Sequence, residues 1–136
     1  MRIVIDTNCF LAIIPKLSPY RSVFDAYRAG TFELAVSTEV LEEYTEIFGS
    51  RMTPAIAENL LELIDRQANT VRTEIFYRWD LIAADYDDNK FVDCALSSGA
   101  DFIITNDHHF DVLKSMDFPK VNCLTLSYFA TLMPLL

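Results

Sequence analysis

The sequence predicts an α/β fold, with one parallel sheet covered by helices on both faces. Two observations carry this. Short runs rich in β-branched residues alternate with segments whose apolar residues recur at helical spacing. Those runs are also too apolar for a surface strand; Ile3-Val4-Ile5 and Phe102-Ile103-Ile104 read as strands buried on both sides. The first strand, over 2–5, halts at a carboxylate in Asp6-Thr7-Asn8. In an open parallel sheet ligands bind just beyond the carboxyl ends of the strands, so Asp6 falls where such a fold does its chemistry.

The remaining elements follow in order. Segment 9–14 is an apolar helix stopped by Pro15. Segment 20–28 is a second, with Val23, Phe24 and Tyr27 on one side and Gly30 as its stop. A strand over 32–36 leads into Ser37-Thr38, either of which can cap a helix from Glu39 to Phe48 that ends at Gly49. Thr53-Pro54 restarts the chain in the capped, proline-first manner. Ile56, Leu60, Leu61, Leu63 and Ile64 carry that helix to about Gln67. Segment 70–74 has the composition of a short edge strand, whereas 75–87 shows neither period. Asp87 or Asp88 opens a helix to Ser98, closed by Gly99. A strand over 102–105 precedes a short helix opened by Asn106-Asp107. A last strand over 121–124 and a terminal helix from Ser127 complete the chain.

Its 136 residues suit a single domain, 1–136, with a substantial core. Half the residues are hydrophobic and only three are glycine, which excludes a disordered or linker-rich protein. No apolar run reaches the roughly 18 residues a membrane span needs, and no export signal is visible, so the expected location is the cytoplasm. Cys9, Cys94 and Cys123 read as buried free thiols of a reducing compartment. The net charge of −9 runs against a general nucleic-acid binder. Either nucleic acid is not the partner, or the acidity gathers where cations sit and a partner supplies positive charge.

With twenty acidic residues, helix geometry has to choose among them. At 100° per residue, Glu39, Glu42 and Glu46 point away from the apolar arc, while Glu43 lies only about 40° outside it. Asp88 projects into the apolar face formed by Phe91, Val92, Cys94, Ala95 and Leu96. Asp93 falls opposite, beside Lys90 and Ser97, and Asp87 competes with Asp88. Asp107 follows its strand as Asp6 follows the first. Carboxylates converging on one cleft demand protons or a cation, and oxygen ligands of this hardness suit Mg²⁺ or Mn²⁺. The chemistry they point to is attack of water on a phosphodiester.

Taken together, these motifs resemble the PIN-domain ribonucleases, in particular the VapC-like toxins of bacterial toxin–antitoxin pairs. Ile3-Val4-Ile5-Asp6-Thr7-Asn8 is similar to the family's opening strand and first acidic ligand. Ser37 followed by Glu43 matches the second, Asp88-Asn89-Lys90-Phe91 through Ala95-Leu96 the third, and Ile103-Ile104-Thr105-Asn106-Asp107 the fourth. The resemblance covers nearly the whole chain. It implies a three-layer α/β/α fold with strand order 3-2-1-4-5, and an endoribonuclease dependent on Mg²⁺ or Mn²⁺. The implied metal ligands and catalytic residues are Asp6, Glu43, Asp88 and Asp107, with Asp93 in reserve and Asn8 and Thr105 in support. RNA as substrate, an antitoxin protein as partner and a homodimer are implied as well. Asn89 departs from the pattern, since many relatives carry Asp there. Two other readings stand beside this one: a catalytically silent PIN fold that only binds RNA or protein, and a haloacid-dehalogenase-like phosphatase. The phosphatase would need an Asp at position 8, which is Asn. His108-His109 could assist phosphate binding but reads first as a surface pair opening a helix, and Arg51, Arg78 and Lys90, which could contact an RNA backbone, read first as surface charges.

Overall fold

A computed structural model describes all 136 residues. Five parallel strands form one sheet: β1 (Arg2–Ile5), β2 (Glu33–Val36), β3 (Thr70–Arg72), β4 (Phe102–Ile104) and β5 (Cys123–Leu124). Their order is β3-β2-β1-β4-β5, so the chain leaves the central strand β1 first towards β2 and later towards β4. That reversal opens a crevice at the carboxyl ends of β1 and β4. The register places Ile3 beside both Leu34 and Phe102, and Ile5 beside Ile104. Ile3, Val4, Ile5, Leu34, Val36, Ile103 and Ile104 are almost fully buried, which is why these strands show no alternation of polar and apolar residues.

Six helices cover the faces: α1 (Thr7–Ile13), α2 (Arg21–Arg28), α3 (Thr38–Arg51), α4 (Pro54–Arg66), α5 (Asn89–Ser98) and α6 (Leu126–Leu132). No helix is long and apolar enough to cross a membrane. On the α1/α3 side, Phe10 meets Tyr44 and Phe48 with ring centroids 5.2 and 5.5 Å apart. The Tyr44 hydroxyl donates to the carbonyl of Ile5. A buried tyrosine hydroxyl needs such a partner, and here it pins α3 to the last residue of β1, next to Asp6.

Several elements differ from the sequence expectation for identifiable reasons. Helix α1 begins two residues early because the Asp6 side chain accepts from the Cys9 amide at 2.8 Å and caps it. Helix α3 runs through Gly49 to Arg51. A glycine inside a helix costs only about 1 kcal/mol relative to alanine unless the backbone turns left-handed, and the stop comes instead at the extended Met52 before Thr53-Pro54. Gly99 does close its helix, at φ +69°. The short helix expected after Asp107 is a 3-10 helix, His108–Ser115, and the last helix starts at Leu126 because Thr125, not Ser127, caps it.

The largest difference concerns α5. Asp93, expected on an open face opposite the core, is 3% exposed. Segment 73–85, which carries no helix or strand, folds over that side of the helix. Asp93 accepts the Trp79 amide at 3.0 Å, Asn89 bonds both the amide and the carbonyl of Ile82, and Ser97 donates to the carbonyl of Glu74. Side-chain bonds from one helix thus replace the backbone pairing that an irregular segment lacks.

Candidate metal centre

The carboxyl ends of β1 and β4 place Asp6 and Asp107 beside one another. Asp6, 7% exposed, directs Oδ1 to the Cys9 amide and accepts the Thr105 hydroxyl on Oδ2. The same Thr105 oxygen accepts the Asp107 amide at 3.0 Å, so one hydroxyl fixes both strand ends. Asp107 caps the following 3-10 helix through the His109 amide at 2.9 Å. Burial, followed more weakly by the Asp107 charge, holds the Asp6 carboxyl above its ordinary range.

Asp88 arrives from a different direction, on the one-turn 3-10 helix Tyr86–Asp88 that precedes α5. It makes no capping bond, and its carboxylate turns instead to the crevice, where Oδ2 meets His109. Burial first, then the charges of Asp85 and Asp107, push its pKa up to about 6. Asp85, the extended residue that caps the same turn through the Asp87 amide, stands three residues earlier. Both carboxylates, together with Asp107, converge on His109: Nδ1 lies 3.3 Å from Asp88 Oδ2, 3.5 Å from Asp107 Oδ1 and 3.9 Å from Asp85 Oδ2.

Glu43 comes to the crevice from α3 but is already occupied. The Thr7 hydroxyl, one residue from Asp6, donates to Oε2, and Lys90 Nζ lies 2.9 Å from Oε1. Asp93 faces away, towards Arg78 and Trp79, and Asp87 lines the same cleft of about 110 Å³ as Asp93, Arg78 and Lys90. Asn8 is exposed. Thus Asp6, Asp88 and Asp107 gather with Thr105 between two of them. Glu43 stands at the edge behind a lysine, and Asp93 binds the loop. Arg78 pairs with Glu39 rather than standing free.

The chemistry of the donor set fits a divalent cation. Asp6, Asp85, Asp88 and Asp107 have no lysine or arginine partner, and the last three stand around the His109 ring nitrogen. Oxygen atoms with free lone pairs and a shared repulsion are what a hard ion relieves, and Asp85, Asp88 and His109 each offer a ligand atom, all within 4.8 Å of one another. Sequence reasoning missed Asp85 and read His109 first as a surface residue. The signals were present: Asp85 and Asp88 are spaced for one 3-10 turn, and His109 is two residues past a capping aspartate.

Comparison with known proteins identifies the fold and the family. The sequence profile of the PIN domain matches residues 2–109. Among solved structures, the fold is similar to VapBC2 from Rickettsia felis, solved bound to a DNA fragment from its promoter. The TM-score is 0.63 at 17% identity, covering 92% of this chain and 98% of that one. It is also similar to VapBC-1 from nontypeable Haemophilus influenzae, with a TM-score of 0.60 at 16% identity over 93% of this chain and 99% of that one. No curated protein matches the sequence significantly. At such identities the structural likeness is one of fold, but the profile spans most of the chain and includes the segments carrying Asp6, Glu43, Asp88 and Asp107. The chain belongs to the PIN domain family.

Proposed function

We propose that this protein is a Mg²⁺- or Mn²⁺-dependent endoribonuclease, acting as the toxin of a toxin–antitoxin pair. The observation that carries the reading is the meeting of Asp6, Asp88 and Asp107, from three distant stretches of sequence, in one crevice without a lysine or arginine to neutralise them. Asp6, Asp88 and Asp107 would hold the cation, with Glu43 at its margin. When bound, the ion supplies an activated water and neutralises charge on a phosphoryl oxygen.

The chain's own residues set the stage for that reaction. Thr105 and the Cys9 amide fix the two oxygens of Asp6. Thr105 also holds the Asp107 backbone, and Lys90 steadies Glu43. Water adds at phosphorus and the bond from phosphorus to one ribose oxygen breaks, leaving one phosphomonoester end and one hydroxyl end. An acidic enzyme with an anionic substrate gains from a partner that is basic, and the two structural neighbours are VapBC assemblies. The same charge relation supports an antitoxin partner here, and a homodimer is part of the reading.

RNA cleavage by the purified chain in Mn²⁺, with Asp6→Asn as the comparison, tests the proposal. The wild type cleaves and the variant, folded alike, does not. Equal cleavage by both refutes the assignment, and retention of RNA with no cleavage in either metal identifies a binding-only PIN fold.

A further inference from the structure

His109 places an imidazole nitrogen where a PIN-type crevice otherwise offers oxygen. Around an ion with bonds of about 2.1 Å, ligand atoms on adjacent corners stand roughly 3 Å apart and opposite ones a little over 4 Å. The contacts of Nδ1 with Asp88, Asp107 and Asp85, at 3.3, 3.5 and 3.9 Å, fall within that span. The parts are held from separate elements. Asp85 Oδ1 is taken by the Asp87 amide, which leaves Oδ2 for the crevice. The His109 backbone is tied to Asp107. The rim is open enough for an ion to enter, with the His109 side chain 44% exposed.

Mg²⁺ takes oxygen ligands and keeps its waters, whereas imidazole suits ions of the first transition row, with affinity rising towards zinc. We propose that His109, with Asp85 and Asp88, adds a nitrogen–oxygen ligand set to this crevice and makes it select Mn²⁺ or Zn²⁺ over Mg²⁺. The inference rests on the metal-centre reading above and assigns the ion's identity to a residue outside the four acidic positions.

Calorimetric titration of the full chain with MgCl₂, MnCl₂ and ZnCl₂ tests it, with His109→Gln and Asp88→Asn alongside. Expected are Mn²⁺ and Zn²⁺ binding in the wild type at least about tenfold tighter than Mg²⁺ and a loss of about tenfold or more for both in His109→Gln. Mg²⁺ binding in His109→Gln should change little. With only two histidines in the chain, NMR gives an independent readout: Zn²⁺ shifts the ring protons of His109 and leaves those of His108 in place. If His109→Gln keeps the wild-type ratio of Mn²⁺ to Mg²⁺ affinity, or the His109 resonances stay fixed at saturating Zn²⁺, the inference fails. Loss of binding in Asp88→Asn would in that case leave the acidic centre intact. Absence of binding by all three ions to the wild type overturns both.

Discussion

Thr105 donates its hydroxyl to Asp6 across 99 positions of sequence, and accepts the Asp107 amide on the same oxygen. One side chain thereby orients the first acidic residue and the loop that carries the last. Thr105→Ala leaves an aspartate oxygen that is nearly fully buried without its donor, which costs about 1–3 kcal/mol of stability. It should also weaken Mn²⁺ binding by about tenfold or more, as loss of a supporting hydrogen bond around a metal does. Thr105→Ser keeps the hydroxyl and should restore both. Urea unfolding and metal titration of the two variants measure this. Wild-type affinity in Thr105→Ala would remove Thr105 from the centre.

Asp88 should make the metal-free protein less stable as pH rises. Its carboxyl goes from an ordinary 3.8 to about 6 in the folded chain, so the folded state binds the proton more readily than the unfolded one. Stability from this group is then full below pH 3.8 and falls as pH climbs to about 6. Asp6, raised as well, acts in the same direction. Asp88→Asn removes the Asp88 share of that dependence. At pH 7 the variant should be more stable than wild type by about 1 kcal/mol, given solvent screening at the crevice, or about 4 °C in Tm. At pH 3.5 the two should coincide. Saturating Mn²⁺ should reverse the order at pH 7. Thermal melts at the two pH values, with and without metal, supply the check; a variant no more stable than wild type at metal-free pH 7 contradicts it.

The sheet and most helix starts were legible because each depends on a local signal. Ile3-Val4-Ile5 has no polar face, Thr53-Pro54 is a capped entry, and Gly99 takes the left-handed turn. Asp6 and Asp107 were legible for the same reason: both directly follow a strand. Asp93 misled because a helical projection knows nothing of what covers the helix, and here an irregular segment does. His109 read as a surface residue because its partners, Asp85 and Asp88, lie 24 and 21 positions away and meet it only through the β4 crossover. Residues whose role depends on a fold-level meeting carry no periodic signature.

Lys90 sets the charge balance at the crevice edge. Its ammonium, 18% exposed, lies 2.9 Å from Glu43 Oε1, and the bond to Glu43 raises its pKa against the opposing effect of burial. Lys90→Met removes the cation and frees Glu43 towards the acidic group. Mn²⁺ affinity should rise by at least about twofold from the lost repulsion. Stability of the metal-free chain should fall by about 1 kcal/mol or more as Glu43 loses its partner. Titration and melting of the same sample separate the two effects. Weaker Mn²⁺ binding would show instead that Lys90 holds Glu43 in its ligating position.

Asn89 is a structural clasp for the segment that lies over α5. Its Oδ1 accepts the Ile82 amide at 2.9 Å and its Nδ2 donates to the Ile82 carbonyl at 3.0 Å. The side chain is 4% exposed. A carboxylate can match the amide but not the carbonyl, so Asn89→Asp places two acceptors face to face in a buried site. The expected cost is about 1–3 kcal/mol, with Asn89→Ala similar through two unsatisfied backbone groups. The loss should be local, because Asn89 and Asp93 are the side chains that hold 79–82 to α5. Hydrogen exchange in Asn89→Asp should therefore accelerate at Trp79 and Ile82 while β1 and β4 stay protected. Uniform acceleration across the sheet would mean that the clasp supports the whole fold rather than the segment over α5.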